Sequence, residues 1–474
     1  MRIEDFLLMR HEILLTLVAV IVLILEIFMN DNKKQCIRPW AIALFAIVTI
    51  IGFFPSPTGS LFGGMYQTSA MIQLMKNILN IGVLIVFIQA AKWLNLDENH
   101  NKVSEFYIIM LTTLIGMNFM ISSGDFLMFY LGLELASIPM AALAAFDRYS
   151  NKSSEAGIKY ILSSALSSGI LLYGISMIYG STGSIYFDKV AAVFSGSSVQ
   201  ILALIFFFSG MAFKISMVPF HLWTADVYEG APVNVTSYLS VISKGAAVFI
   251  LSIVLVTVFK FVSPVWQNLI WVISVLTMTI GNLFAIRQNN LKRFLAFSSI
   301  SQAGFILLGV IAGSTLGMTT VVYYVLVYIF SNLGAFGVVA AVSNATGGKE
   351  NMSDYVGLYR TNPGLSLAMM LAMFSLAGIP PVAGFFGKFF LFMAVAEQGY
   401  YWLLTIAVLN TIISLYYYLL IVKAMFLTKS DDAIGYFKSD IYTRIGLTVC
   451  IAGMVVVGFA SPIFDYIKSL AFGL

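Results

Sequence analysis

Four ionisable residues, Glu134, Lys214, Lys244 and Lys388, stand inside stretches of sequence that are otherwise apolar. A charged side chain at mid-membrane costs on the order of 3 kcal/mol even on lenient insertion scales, so each marks a candidate functional position. The chemistry open to lysines and a carboxylate in such surroundings is proton transfer. An ammonium and a carboxylate that meet in a low dielectric stabilise each other's charged forms, and when they separate, desolvation favours the neutral amine. A small rearrangement can then switch a lysine between holding and releasing a proton. Glu134, in Tyr-Leu-Gly-Leu-Glu-Leu-Ala-Ser-Ile-Pro, has no basic residue within a helical turn, so its partner has to come from another helix. His221 reads equally as a satisfied structural residue or as a proton relay.

The residues around these charges dictate unusual backbone. Pro219 lies five positions after Lys214, and a proline removes a backbone donor and clashes one turn back, so an interrupted helix is expected beside Lys214. Before Lys388 come Gly378-Ile379-Pro380-Pro381 and Gly384-Phe385-Phe386-Gly387, which predict a second interruption. Broken helices at membrane depth line ion paths in transporters. Plainer roles remain open for each charge. Lys214 can snorkel towards a span end, Lys388 can satisfy carbonyls freed by the break, and Glu134 can be a fixed counter-ion that tunes Lys214. Asp226 and Glu229, between the seventh and eighth spans, read as solvated or helix-capping charges.

The elements that position these residues are membrane helices. The chain has 474 residues, 60% hydrophobic and 10% charged, a composition that excludes a soluble globular protein. Apolar runs of roughly 18 residues or more give fourteen spans: 10–29, 39–54, 71–93, 105–122, 125–145, 156–180, 199–223, 233–259, 264–285, 292–313, 317–343, 364–395, 401–428 and 441–467. The fold class is therefore an all-α polytopic membrane protein forming one membrane domain. Residues 13–29 have the length of a signal-peptide core, but Asn30-Asp31-Asn32-Lys33 offers no small-residue cleavage site, so this segment is expected to stay as the first span. The linkers, the longest being 94–104 and 344–362, leave no room for a separate soluble domain.

Seventeen lysines and arginines fall in the odd-numbered linkers, against six on the other face: Arg2, Arg10, Lys76, Lys189, Lys260 and Lys468. The positive-inside rule then places both termini on the non-cytoplasmic side. Lys214 lies in the fourth of spans four to eight and Lys388 in the fourth of spans nine to thirteen. Two inverted five-helix repeats are therefore expected, at about 105–259 and 264–428. Net charge is only +4 and the basic residues are scattered, which argues against a nucleic-acid partner. Cys36 and Cys450 belong to no Cys-x-x-Cys, and His11, His100 and His221 have no paired spacing. No Gly-x-Gly-x-x-Gly or phosphate-binding loop occurs, so metal, haem and nucleotide sites in this chain are unsupported. The 14% aromatic content and 23 methionines fit lipid-facing and interhelical packing.

Together, Glu134, Lys214 with Pro219-Phe220-His221, Lys244, and Gly378-Ile379-Pro380-Pro381 with Gly384-Phe385-Phe386-Gly387-Lys388 resemble the antiporter-like membrane subunits of respiratory complex I. These subunits are related to those of multisubunit cation/proton antiporters. The stretch from His221 to Pro232, followed by Ser-Val-Ile-Ser-Lys-Gly-Ala-Ala, is similar to the N-type branch. Lysine at 388, where the M-type and antiporter cousins usually carry glutamate, and an end after the fourteenth span without the L-type lateral helix agree. Asn234 departs from a proline frequent in the family, and asparagine also starts helices well.

The resemblance implies a fourteen-helix subunit of a proton-translocating NADH–quinone oxidoreductase in a bacterial inner membrane. Glu134 would tune Lys214, Lys244 would relay at the centre and Lys388 would exchange with the far side, with Tyr328, Ser331 and Asn332 helping to hold water. It also implies that flavin, iron–sulfur clusters and quinone sit in partner subunits, among which are neighbouring antiporter-like chains. The competing reading is a subunit of a multisubunit cation/proton antiporter.

Overall fold

The computed structural model describes residues 3–29, 31–96, 99–429 and 433–470. Arg2, Asn30 and the Asp97-Glu98 pair of the 94–104 linker, which enter the topology and linker expectations, lie outside the described residues. Among the described residues thirteen helices are long and apolar enough to cross a membrane: Arg10–Phe28, Lys34–Ile51, Ala70–Asn95, Val103–Ile121, Phe126–Ala144, Asn151–Thr182, Ser198–Ile215, Val233–Thr257, Lys260–Ala285, Leu291–Ala312, Thr315–Thr346, Tyr401–Phe426 and Ile441–Phe459. The expected twelfth span is present as two half-helices, Pro363–Ala377 and Ala383–Glu397, separated by a break. With it, all fourteen expected spans have a counterpart among the described residues.

Two departures have local causes, and a third is an added element. The seventh span stops at Ile215 instead of running to 223, because Ser216 takes a left-handed conformation (φ 63°) and a separate short helix, Leu222–Gly230, follows. The last span divides at Ala460, where Pro462 opens a new helix, Ser461–Ser469. A small antiparallel hairpin, Gly59–Leu61 with Tyr66–Thr68, lies between the second and third spans, and no alternation in the sequence announced it.

Burial is graded across the bundle. The Leu291–Ala312 and Thr315–Thr346 helices are fully buried through their apolar middles, so they form the centre, while Arg10–Phe28 and Ile441–Phe459 are mostly peripheral. The outer helices present Leu131, Leu162, Leu166, Trp402 and Ile412 outwards, as a lipid-facing surface requires. Small residues set close approaches inside. A Cβ on Gly132 would lie 2.6 Å from the Met120 nitrogen, so the glycine lets the Val103–Ile121 and Phe126–Ala144 backbones touch two residues from Glu134.

Both interruptions satisfy their freed backbone groups with protein partners, as a membrane interior demands. After Ile215, Val218 N–H donates to Thr277 Oγ1 (3.0 Å), and the Trp223 indole donates to the Phe213 carbonyl (3.2 Å). The second break begins at Gly378, whose φ of 86° suits glycine. Gly384 N–H donates to Ser375 Oγ (3.2 Å), and the two half-helices cross so closely that a Cβ on Gly384 would fall 1.7 Å from the Ser375 carbonyl oxygen.

Candidate functional site

Glu134 stands midway along Phe126–Ala144, and Pro139 interrupts the hydrogen bonding of the same helix one turn later. Lys214 is the penultimate residue of Ser198–Ile215, at the edge of the first break, and is buried. Its ammonium donates to Ser137 Oγ and to Ser164 Oγ, both at 2.7 Å, with the Tyr160 and Phe213 rings nearby at 5.9 and 5.6 Å. Ser137 is one helical turn from Glu134. The structure therefore brings Lys214 to the helix of Glu134, but through a hydroxyl, while Glu134 Oε1 is buried without a hydrogen-bond partner. The expected carboxylate–ammonium pair is therefore not formed among the described residues: Lys214 bonds Ser137, one turn from Glu134, instead.

Lys244 is buried at the centre, directly after a π-helical turn, Leu239–Ser243, that widens the Val233–Thr257 span. Such wide turns recur at functional positions. Its ammonium donates to Ser299 Oγ (2.7 Å) and lies 5.4 Å from the Tyr228 ring; it makes no ion pair among the described residues. Beside it is a cavity of about 10 Å³ lined by Lys244, Ser299, Tyr328 and Ile215, room for about one water. Tyr328 Oη is buried without a partner, as a water site needs, and Ile215 adjoins Lys214, so the first break reaches the central lysine.

From Lys244 a polar path runs to the second break. Ser299 shares the Leu291–Ala312 helix with Ser298, which hydrogen-bonds Tyr418 Oη (2.5 Å), and with Gln302, one turn on. Gln302 accepts from Tyr324 Oη (2.5 Å) and donates to Tyr418 Oη (3.1 Å) and to the Leu376 carbonyl (3.0 Å). The next carbonyl, that of Ala377, accepts from Lys388 Nζ (3.0 Å), whose charge also lies 4.6 Å from the Phe305 ring. Lys388 thus caps the first half of the broken helix with its ammonium.

Of the polar residues expected around the Thr315–Thr346 helix, Tyr328 lines the Lys244 cavity, Ser331 bonds Ser375 (2.6 Å) and Asn332 donates to Ser240. Tyr324, Tyr418, Gln302, Ser298 and Ser299 were not foreseen. The polar cluster Ser298-Ser299-Ile300-Ser301-Gln302 in a helix without charged residues from 294 to 312 was the signal available for three of them.

His221 sits in the first break with Nδ1 buried and unpartnered, and among the described residues no hydrogen bond joins it to any of the four charges. Asp226 and Glu229 are neither caps nor freely solvated. Asp226 pairs with Lys159 (2.7 Å) and Arg293 (2.7 Å), and Glu229 with Arg293 (3.1 Å) and Lys152 (3.3 Å), tying Leu222–Gly230 to two long helices. Burial raises the affinity of Asp226 for its proton, but the two cations outweigh it and hold the carboxyl below its usual range. Next to this network a polar vestibule of about 470 Å³ is lined by Glu229, Asn234, Lys292 and Glu350. Lys292, expected in a linker, is buried and pairs with Glu350 (3.1 Å) while donating to the Ala231 carbonyl (3.2 Å). Among the described residues no three His, Cys, Asp or Glu side chains gather as a metal site; Cys36 is exposed and Cys450 buried.

Residues 123–414, from Glu134 through Lys388, match the family described as NADH:quinone oxidoreductase/Mrp antiporter, transmembrane. The chain is 53% identical over 463 residues to an NADH-quinone oxidoreductase subunit N from Phocaeicola vulgatus, covering 98% of both chains. It is 52% identical over 474 residues to the protein of the same name from Azobacteroides pseudotrichonymphae, covering 99% of each. Among solved structures it is similar to a chain of respiratory complex I from Thermus thermophilus with bound aureothin (TM-score 0.81, 26% identity, 98% of this chain and 99% of that one). The fold is also that of a chain in the Mrp complex from Dietzia sp. (TM-score 0.86, 20% identity, 100% and 97% covered). The broken helices, the buried lysines and these full-length similarities together place the chain in the NADH:quinone oxidoreductase/Mrp antiporter membrane family, among the NADH-quinone oxidoreductase subunits N.

Proposed function

We propose that this chain is a proton-translocating membrane subunit of an NADH–quinone oxidoreductase. Protons cross it through Glu134, Lys214, Lys244 and Lys388, driven by NADH oxidation and quinone reduction in partner subunits that hold the flavin, iron–sulfur clusters and quinone. The observation that carries this reading is the row of polar side chains, Ser299, Gln302, Tyr324 and Tyr418, set between Lys244 with its water-sized cavity and the break that Lys388 caps, with Lys214 at the other break, whose Ile215 lines the same cavity. Hydroxyls, an amide and a space for about one water are groups through which protons can pass between lysines. The identity of over 50% to subunits N across the whole chain favours this reading over an antiporter subunit, since the likeness to the Mrp complex at 20% identity speaks for fold alone.

The vestibule at Glu229, Asn234, Lys292 and Glu350 opens among linkers rich in lysine and arginine and reaches the start of the Lys244 span, which suits it as the entrance from the cytoplasm. With that face cytoplasmic, both termini lie on the other side. Cysteines placed in 147–155 are then labelled by a membrane-impermeant maleimide only from the cytoplasmic side; labelling from outside overturns the orientation. The inverted-repeat reading, 105–259 with 264–428, is supported by the two breaks, each opened by a left-handed residue, Ser216 and Gly378, and each with a lysine beside it.

The relay is tested at Glu134. Glu134→Gln keeps the shape of the side chain and removes its charge, so Lys214 has no carboxylate to meet. NADH-driven proton uptake by vesicles carrying the complex is expected to fall by about tenfold or more, the scale of a lost acid–base group, with the complex still assembled. An unaltered rate reduces Glu134 to a structural role.

A further inference from the structure

The proposed relay leaves a second buried ion pair unused. Lys76, counted from sequence among residues flanking a span, lies inside the Ala70–Ala90 helix, 1% exposed, and its ammonium meets Glu12 Oε1 at 2.5 Å. Tyr66, from the hairpin, closes the group: its phenol donates to Glu12 Oε2 (3.0 Å) and accepts from Lys76 Nζ (3.0 Å). Glu12 is 2% exposed and Tyr66 fully buried. His11 is buried beside them with Nε2 unpartnered, and Arg10 is engaged with the Phe54 carbonyl.

Buried polar side chains follow this triad inwards on two helices. On the Lys76 helix, Asn80 follows one turn later, at the level where Leu79 and Gly82 pack against Gly245 and Ile242 of the Lys244 span. On the neighbouring helix, Ser122, whose carbonyl accepts from Gln67 N–H beside Tyr66, is preceded one turn earlier by Asn118. Residues Thr113 and Met117 of that helix touch Tyr238, six residues before Lys244. Asn80 and Asn118 are fully buried, and both amide atoms of each lack a hydrogen-bond partner, as does Ser122 Oγ. Buried amides in a membrane core need partners, and water is the one that fits. Outwards, Thr68 lies two residues from Tyr66 on the same strand face, with Oγ1 unpartnered, and lines an open cleft of about 390 Å³ with Ser60, Gln67 and Thr257.

We infer that Glu12, Lys76 and Tyr66 form a second proton-transfer branch between Lys244 and the membrane face that bears the Tyr66–Thr68 hairpin. This rests on the proton-translocating reading above. In the step, an N–H bond of the Lys76 ammonium breaks and an O–H bond forms on Glu12 Oε1, leaving a neutral amine and a neutral acid. Glu12 then releases that proton to water at the Thr68 cleft, and the Lys76 amine takes one from water held by Asn80 and Asn118. One proton enters, one leaves, and no electrons move.

A buried pair that only holds helices together is usually replaceable by apolar residues of similar volume, which separates the two roles. The experiment reconstitutes the whole oxidoreductase and reads protons moved per NADH oxidised for Glu12→Leu/Lys76→Met beside Lys244→Ala. The expected result is a fall in the ratio to the level of Lys244→Ala. A wild-type ratio in the double variant with a reduced one in Lys244→Ala overturns the branch and leaves the central relay standing. Wild-type ratios in both overturn the translocating reading itself. Glu12→Gln, isosteric and unable to take up the proton, covers the case in which the double variant fails to assemble: the same fall supports the branch and a wild-type ratio refutes it.

Discussion

Lys244→Arg is expected to cripple NADH-driven proton translocation nearly as severely as Lys244→Ala, by about tenfold or more, the scale at which a positioned acid–base group acts. A buried lysine can give up its proton, whereas arginine, with a pKa above about 12, effectively cannot, so the substitution keeps the charge and removes the chemistry. The geometry makes the comparison clean. Lys244 has no carboxylate partner among the described residues, and a guanidinium can still donate to Ser299, so loss of an ion pair cannot explain a defect. Size can contribute, because the adjoining cavity holds only about 10 Å³ and Gly245 is packed against Val325 and Leu79. Lys244→Met, smaller than arginine and uncharged, controls for that. Near-normal pumping by Lys244→Arg in reconstituted vesicles would make Lys244 a permanent positive charge and end its role as a relay.

What was legible in the sequence follows from which signals are local. Spans announce themselves because a bilayer demands a long uninterrupted apolar run, and so do the two breaks, since Pro219 and Gly378-Ile379-Pro380-Pro381 act on their own backbone. The buried charges were legible for the same reason: a lysine among apolar residues is conspicuous wherever it packs. The partners of those charges were not. That Lys214 donates to Ser137 and Ser164, and Lys388 to the Ala377 carbonyl, depends on which helix faces which, and no spacing within one helix encodes that. Serines, glutamines and tyrosines are ordinary in membrane helices, so Gln302 and Tyr418 acquire meaning only once the Leu291–Ala312 and Tyr401–Phe426 helices are brought together. Lys76 escaped for the opposite reason. It lies only six residues inside its helix, a position from which a lysine ordinarily reaches water, and only the fold shows Glu12 and Tyr66 closing over it. The π turn before Lys244 has no composition of its own and was invisible.

At the second break the same residue both builds the interruption and carries the charge, and substitutions at Lys388 are expected to separate the two. Lys388 Nζ is the donor for the Ala377 carbonyl at the end of the first half-helix, and Gly378 leaves its aliphatic stem just enough room. Lys388→Met removes that donor and leaves a buried carbonyl unpaired, at a cost of about 1–3 kcal/mol. This variant should lose proton translocation and also lower the melting temperature of the purified complex. Lys388→Arg keeps N–H donors within reach of the same carbonyl while holding its proton permanently. It should lose translocation to the same degree with the melting temperature nearly unchanged. Wild-type pumping in Lys388→Met would reduce Lys388 to a helix cap, and wild-type pumping in Lys388→Arg would show that only its charge is used. A shared loss of pumping with divergent stability is the outcome that assigns it both roles, because only a residue that caps with the same nitrogen it uses for proton exchange can yield that split.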